Sequence, residues 1–394
     1  MRGEVVSRLA RPAAPPAAAV SMVLGDDDLL REILVRVGFP STLVRAALVS
    51  RSWLRHASDR AFLRRFRDRH PPRLLGFYLN TLGGPRQRFV PVSRAPELAA
   101  AAAGHFYVFH SRNGRLRVNE YGENLMDDRL AVLSPLHPAR GTVFLPPPSL
   151  EHPRVWFFVA GDDGAAAVGI FSIGTKLQVD LLTLRSGAWV VHRTAVLDHP
   201  ETLPEITRVL PPAGGKIYML SRPNHYDTLQ HVRTHTYPVR IIQLDTSTAN
   251  VSVIKLPDTV RTTNYKLSLG DQEEEEDSGL NLVYAEGYLL SVWRLAPNTN
   301  EWVLVYDRIQ VREACNRLDD VKVRAVDDTC EFVFLGLEAS AVVICMHLES
   351  KTEKVVKLDK RMRGNMSSLH VSPFKMLWPP TFPAKPRDGN NREE

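Results

Sequence analysis

The chain has 394 residues, of which 44% are hydrophobic, enough apolar material for two or three folded domains and too much for a wholly disordered chain. Lysine and arginine total 50 against 44 aspartate and glutamate, and a net charge of +6 is modest for this length, so it gives little support for a nucleic-acid partner. The basic charge is concentrated, because residues 31–73 contain eleven arginines, no lysine and only three acidic residues.

The cysteines and the apolar runs exclude two further classes of protein. Cys315, Cys330 and Cys345 are spaced fifteen residues apart, which encodes neither a disulfide framework nor a zinc knuckle. We therefore expect a reducing compartment, the cytoplasm or the nucleus. No apolar run approaches the roughly 18 residues of a membrane helix, so we expect a soluble protein without a membrane partner.

Residues 1–22 are rich in alanine, proline and arginine and contain a single acidic residue, Glu4. An acid-poor start of this kind is typical of an organelle transit peptide. Pro12, Pro15 and Pro16 would, however, break the amphipathic helix that such a peptide usually forms. We expect a disordered leader, and an organelle-targeted protein remains the alternative.

Four short helices are predicted between residues 23 and 70. The carboxylates of Asp26 to Asp28 are suited to begin the first helix, and Gly38 is suited to end it. Pro40 is suited to begin the second helix, and Ser58 with Asp59 to cap the fourth. The apolar positions of the four helices follow helical spacing: Leu29, Leu30, Ile33, Leu34 and Val37; Leu43, Val44, Ala47 and Leu48; Val49, Trp53 and Ala57; Phe62, Leu63 and Phe66.

About 45 residues of short helices bury too little surface to fold robustly alone. This segment also carries more leucine, valine and tryptophan than a core of that size can hide. We expect it to need a partner, which is either a second protein or the remainder of this chain.

The segment from Val23 to Phe66 resembles an F-box of the plant type. The resemblance rests on Leu24, on residues 29–34, on residues 43–49, on Trp53 and on Ala61-Phe62-Leu63. The segment departs from the family at Gly25, where proline is usual, and at Ser50, where cysteine is frequent. Loss of the proline leaves the entry turn more flexible in the unbound chain.

What the resemblance implies is a domain that binds a Skp-family adaptor and, through it, a cullin–RING ubiquitin ligase. The arginines would form a rim that steers the segment towards adaptors of that family, which are acidic; a solvated outer face is the simpler interpretation. Eight positions would supply the apolar contacts or the packing beneath them: Leu24, Leu29, Leu30, Ile33, Leu34, Leu43, Val44 and Trp53.

Beyond residue 72 the sequence predicts an all-β domain that extends to residue 378. Short β-branched and aromatic runs alternate with turn residues, and apolar pairs flank the turns: Leu136 and Val143, Leu184 and Trp189, Leu244 and Val251, Leu295 and Trp302, Leu348 and Val355. Successive hairpins lie 48 to 60 residues apart, near the roughly 50 residues of a kelch-like propeller blade. A weaker hairpin from Phe77 to Val90 makes six.

The predicted fold class is therefore α + β multidomain, a small helical F-box-like domain (residues 23–70) followed by a propeller-like domain of about six blades (residues 73–378). A pair of β-sandwiches is the alternative. The hairpin style around Phe144-Leu145-Pro146-Pro147 also resembles the associated domains of plant F-box proteins. Residues 379–394 are predicted to be a disordered tail.

Two polar stretches of the β domain are candidates for a functional site, one for metal binding and one for docking of a substrate. His225, His231 and His235 could hold a metal if their segment were helical, but Pro223 and Pro238 argue for a solvent-exposed or partner-contacting loop. The acidic run at residues 271–277 is either a solvated loop or a docking strip for a basic substrate.

The sequence contains no phosphate-binding glycine loop, no nucleophile elbow and no evident carboxylate pair, so we expect no cofactor, metal or catalytic residue. The main hypothesis is a non-enzymatic substrate receptor of an SCF-type ubiquitin ligase, whose target protein the sequence does not identify. A propeller enzyme with the helices as a structural cap is the alternative. Nucleic-acid binding through the arginine-rich helices is the least favoured because the β domain is nearly neutral.

Overall fold

The computed structural model describes residues 24–38, 40–70, 73–81, 87–92, 106–112, 114–120, 129–136, 142–146, 155–160, 165–173, 176–198, 205–210, 215–222, 240–248, 250–269, 279–296, 299–376 and 382. The predicted leader, the histidine segment, the acidic run and, apart from Phe382, the predicted tail lie outside these residues. The chain divides into two compact units, Met1–Arg73 with Lys375–Glu394, and Leu74–Phe374.

Among its described residues, the amino-terminal unit has the short helices α1 (Asp27–Val35), α2 (Pro40–Ala47), α3 (Arg51–Ala57) and α4 (Arg60–Arg69). Polar caps begin three of them. The Asp26 carboxylate accepts from the backbone N–H groups of Asp28 and Leu29, at 2.9 and 3.0 Å. Ser50 Oγ accepts from Trp53 N at 3.2 Å, and Asp59 Oδ1 accepts from Phe62 N at 2.9 Å. The caps predicted at Asp26 and Asp59 are confirmed.

The third helix begins later than its apolar spacing indicated. Val49 was expected on it, but the Ser50 cap starts α3 at Arg51 and leaves Val49 in the preceding turn, 68% exposed. Ser50, one of the two departures from the F-box pattern, thus has a defined role in starting α3.

The helices share one apolar core. The half-buried Trp53, Leu54 and Leu63 pack against it, as does Phe382 from the carboxy-terminal part of the same unit. Its buried members are Leu30, Leu34, Val35, Leu43, Ala47, Ala57, Phe62 and Phe66.

The second unit is a six-bladed β-propeller. Five of its sheets have four strands in chain order, and the sixth has three strands in the order β2-β1-β23, so the first and last strands of the domain share a sheet and close the ring. The strands are β1 (Leu74–Asn80), β2 (Arg88–Pro91), β3 (Phe106–Arg112), β4 (Arg115–Glu120), β5 (Arg129–Leu133), β6 (Val143–Phe144), β7 (Val155–Ala160), β8 (Ala165–Ile173), β9 (Lys176–Arg185), β10 (Ala188–Asp198), β11 (Glu205–Val209), β12 (Lys216–Arg222), β13 (Arg240–Asp245), β14 (Val251–Lys255), β15 (Tyr265–Leu269), β16 (Leu280–Glu286), β17 (Leu289–Leu295), β18 (Trp302–Gln310), β19 (Val321–Val326), β20 (Phe332–Leu337), β21 (Val342–His347), β22 (Thr352–Lys357) and β23 (His370–Lys375).

We number the blades from the closing sheet. Blade 1 contains β23, β1 and β2; blades 2 to 6 contain β3–β6, β7–β10, β11–β14, β15–β18 and β19–β22. Short helices α5 (Arg312–Arg317) and α6 (Lys360–Arg363) and a 3-10 turn (Met366–Ser368) lie outside the sheets. Within the described residues, no helix has the length and apolar character required to cross a membrane.

Three of the five predicted flanking pairs face each other across their hairpins: Leu184 with Trp189, Leu244 with Val251, and Leu295 with Trp302. The weaker hairpin around Phe77 to Val90 also forms. At the tightest of them, Ser186 and Gly187 have φ angles of +50° and +81°, as expected for a two-residue turn with both central residues left-handed.

The other two hairpins exist in a different register. Val143 pairs with Val132, because β5 ends before Leu136. Val355 pairs with Ile344. Leu348 lies beyond the end of β21 and is buried, and its backbone N–H donates to the carbonyl of Glu331 at 2.8 Å, so it cannot serve as a hairpin anchor.

The hydrophobic cores of the propeller lie between neighbouring blades. Val283 of blade 5 packs with Val333 of blade 6. Phe77 of blade 1 meets Phe334 of blade 6, with ring centroids 5.0 Å apart. The sheet alternation therefore buries both faces of a blade, which explains why β1 and β16 read as nearly continuous apolar runs.

Candidate protein-interaction surface

The structure separates the eight predicted adaptor-binding positions into two layers. Leu30, Leu34 and Leu43 are fully buried in the helical core, and Val44 and Trp53 are half-buried. In contrast, the other three remain exposed on or just before α1: Leu24 by 37%, Leu29 by 46% and Ile33 by 37%. The buried leucines can only support a surface, whereas the exposed side chains can contact a partner.

Two further exposed apolar residues extend this set. Leu48 and Val49, in the turn between α2 and α3, are 63% and 68% exposed. The sequence pattern had assigned both to helical packing. The signal that could have placed Val49 in the turn is Ser50, because an N-cap at that position excludes the preceding residue from α3. We call Leu24, Leu29, Ile33, Leu48 and Val49 the exposed apolar set.

A buried histidine fixes α1 against α3. His56 is 3% exposed, and its Nε2 lies 2.9 Å from Asp27 Oδ1. Its Nδ1 accepts a hydrogen bond from Arg31 Nε at 3.2 Å, so the proton is on Nε2 and is donated to Asp27. This hydrogen bond lowers the pKa of Asp27. The pair holds the helix that carries Leu29 and Ile33 in one orientation.

Ion pairs neutralise the acidic side of α1. Glu32 binds Arg65 of α4, a contact that lowers the pKa of Glu32, and it also pairs with Arg36 at 3.4 Å. Arg55 lies 3.4 Å from Asp27. The exposed arginines that remain outnumber the exposed acidic groups, so the outer face of the helical unit is basic.

The described part of the chain offers no candidate metal centre, since it contains no group of three or more histidine, cysteine, aspartate or glutamate side chains that could hold an ion. The three cysteines are free thiols. Burial raises the pKa of Cys345 to about 12, which makes that thiol a poor nucleophile.

Two family models match the chain. One, described as "F-box domain", covers residues 26–65, the four helices. The other, described as "F-box protein AT5G49610-like, beta-propeller", covers residues 107–382. The chain belongs to this family of F-box proteins. The resemblance of the helical segment to an F-box and the prediction of a propeller of about six blades are confirmed.

The F-box protein has no match among curated proteins at the sequence level. Solved structures that are similar to it include a nidogen/laminin complex (12% identity, TM-score 0.41, 76% of this chain and 98% of that one). Others are apo AztD from Citrobacter koseri (13%, 0.35, 73% and 78%) and a luciferin-regenerating enzyme (10%, 0.37, 64% and 76%). At such low identities and TM-scores, these similarities carry no argument about activity.

Proposed function

We propose that this F-box protein is the substrate-recognition subunit of an SCF-type cullin–RING ubiquitin ligase and is not itself an enzyme. In this proposal the helical unit binds a Skp-family adaptor, and the propeller binds a target protein whose identity remains open. The ligase supplies the chemistry, and the F-box protein raises the concentration of the target at the transfer site. The free cysteines fit a reducing compartment, the cytoplasm or the nucleus.

The observation that carries the proposal is the exposed apolar set. The helical unit has a complete core of its own, and five large apolar side chains are nevertheless left on its surface. Leu29 and Ile33 are four residues apart on α1 and therefore lie on the same face of that helix. An apolar helix face that stays exposed is a surface that a partner can cover. At about 25 cal/mol per Å² of apolar surface removed from water, covering them would favour association.

Charge favours the same kind of partner. The basic face around the exposed apolar set would attract an acidic protein and raise the association rate, an effect that falls with ionic strength. Arg31 lies on the same helix as Leu29 and Ile33 and is exposed, and arginine is a residue that protein interfaces favour.

The deciding experiment is direct binding of the full chain to a purified Skp-family adaptor by calorimetry. Replacing Leu29→Asp and Ile33→Asp together puts two charges into the exposed apolar set without touching the core, so we expect binding to fall at least about a hundredfold. Leu30 is unsuitable for this test because it is fully buried and its replacement would unfold the helices.

A matched control makes the same change on the propeller. Val190 and Val191, on β10, are 44% and 51% exposed, and Val190→Asp with Val191→Asp should leave adaptor binding unchanged. Wild-type affinity in the Leu29/Ile33 variant, with the helices still folded by circular dichroism, would exclude the proposed interface.

A further inference from the structure

The axis of the propeller is lined by one strand from each blade. The last strands of the blades carry the exposed apolar residues, as in β6, β14 and β18, and therefore lie outermost. The first strands of neighbouring blades contact each other, β7 with β11 and β15 with β19. The inner strands are accordingly β3, β7, β11, β15, β19 and β23, and together they surround the central channel of the fold.

These six strands have a strong excess of basic residues. By sequence they contain six lysine or arginine residues and one acidic residue, Glu205. The six inner strands therefore carry a net charge of +5 (six basic residues minus one acidic residue), although Arg324 of β19 is paired with Glu338 at 2.6 Å.

Groups from three other blades act on His370, the first residue of β23 in blade 1. Its ring stacks on Tyr107 of blade 2, with centroids 5.7 Å apart and an angle of 27° between the ring planes. Burial and the positive charges of Arg208 and Lys266 lower the pKa of His370 to about 4, and a hydrogen bond to the backbone of Phe109 acts in the opposite direction. Arg208 and Lys266 come from blades 4 and 5, so both cations act on His370 from across the ring.

Arg208, on the inner strand β11, is half-buried, and burial lowers its pKa. No carboxylate of the described residues pairs with the Arg208 guanidinium.

An enclosed positive charge without a counter-charge is costly, and an anion that enters the channel would offset that cost. The guanidinium offers a planar fork of donors and the lysine a point charge, a combination that suits the oxygens of a phosphate group. At neutral pH the uncharged His370 adds a ring nitrogen and, with Tyr107, a flat aromatic wall.

We propose that the central channel of the propeller binds a phosphate group, free or carried by a small molecule, through Arg208 and Lys266 beside His370. This inference is independent of the adaptor proposal, because it concerns only the propeller.

The test titrates the full chain with sodium phosphate and, separately, with glycerol 3-phosphate, each against sodium chloride at the same ionic strength. We expect saturable binding by calorimetry and a rise in melting temperature beyond that caused by chloride. Tighter binding of glycerol 3-phosphate would identify a phosphate ester as the ligand class, and equal binding would identify the phosphate group alone; either result supports the site.

Two variants locate the site. Arg208→Gln should weaken phosphate binding by about tenfold or more, and Lys266→Met should weaken it by a smaller factor. Lys255→Gln, at an exposed position on the outer strand β14, is the matched control and should bind as wild type does.

A second measurement distinguishes a lost phosphate site from a variant that is misfolded. In phosphate-free buffer, Arg208→Gln should melt at a higher temperature than wild type, because an uncompensated enclosed charge is gone. Addition of phosphate should then raise its melting temperature less than it does for wild type. The proposal is overturned if phosphate acts on wild type no more than chloride does, or if Arg208→Gln binds phosphate as tightly as wild type.

Discussion

The helical unit and the propeller expose apolar side chains for different reasons. In the helical unit the exposed leucines and valines lie on or beside helices whose opposite faces already fill a core, as Leu29 and Ile33 do beside Leu30 and Leu34. In the propeller, exposed valines lie on outermost strands, such as Val253 of β14. The first pattern follows from the small size of the helical unit, whose core cannot take up every apolar side chain, and the second from the outer strand of each blade, which has a neighbour on one side only.

The comparison predicts that the same core truncation has different consequences in the two units. Phe66 and Phe334 are both fully buried, and replacement by alanine removes about 3–5 kcal/mol at either position. A helical unit of about 45 residues has little more stability than this, so Phe66→Ala should unfold it. The larger propeller should tolerate Phe334→Ala with a lower melting temperature.

Amide hydrogen exchange distinguishes the two outcomes because it reports each element separately. In Phe66→Ala the helices should lose protection while β16 and β20 keep it. Protected helices in this variant would show that the helical unit has a stability margin that its small core does not explain.

A second variant tests how the blades are joined. Asn264 donates to the carbonyls of Ala285 at 3.0 Å and Val321 at 2.7 Å, and its Oδ1 accepts from Val323 N at 2.9 Å. It therefore links blade 5 to blade 6. Asn264→Leu leaves all three backbone groups without this partner, so we expect a loss of about 3 kcal/mol in the free energy of unfolding, measured with urea.

Asn250→Leu serves as the control, because Asn250 is exposed and the same change there should cost less than about 0.5 kcal/mol. A similar small loss for Asn264→Leu would mean that the three hydrogen bonds do not hold the blades together.

The sequence predicted the repeated hairpins of the propeller but not the contacts between residues of different hairpins and blades. Turn chemistry is local, so pairs such as Leu244 and Val251 could be placed from spacing alone. The register at Leu348 depends on a hydrogen bond to Glu331 that no spacing reveals. Arg208 and Lys266 act electrostatically on His370 because the ring brings their blades together, although the three residues are 58 to 162 residues apart in the sequence.

The candidate adaptor surface was predicted in part for a similar reason. Helical periodicity identified the apolar stripe of α1, yet it could not separate Leu30, which supports the core, from Leu29, which is exposed. That separation depends on where α3 and α4 dock. The position of Val49 outside α3 follows from the helix cap at Ser50, which the periodicity of the neighbouring apolar residues obscured.

A third prediction concerns the short helix that follows blade 5. The α5 helix has no side-chain cap of its own, and Glu353 of β22 accepts from its first two backbone N–H groups, those of Arg312 at 2.7 Å and Glu313 at 3.1 Å. Glu353→Ala should therefore lower the stability by about 1–2 kcal/mol in thermal unfolding. Glu353→Gln keeps one acceptor and should lose less; an equal loss in both variants would assign the effect to charge instead of capping.

The smallest expected effect is a pH dependence located in one propeller turn. Between β13 and β14, the Asp245 carboxylate accepts from Ser247 Oγ at 2.6 Å and from the backbone N–H groups of Ser247 and Thr248 at 2.8 and 2.9 Å. These hydrogen bonds, with that of the Ser247 hydroxyl first, lower the pKa of Asp245 to about 2 from its ordinary value of 3.8. Because the pKa is lower in the folded state, the carboxylate stabilises the fold fully above about pH 4, and this contribution is lost as the pH falls towards 2.

Asp245→Asn keeps an acceptor oxygen in the same place but cannot ionise. We expect it to melt below wild type at pH 5 and to approach the wild-type melting temperature as the pH is lowered from 4 towards 2. Asp245→Ala removes the acceptor at every pH, so its deficit should persist in acid. A constant difference between wild type and Asp245→Asn over this range would show that ionisation of this carboxylate does not contribute to the stability of the turn, and that the outer hairpins of the propeller depend on hydrogen-bond geometry alone.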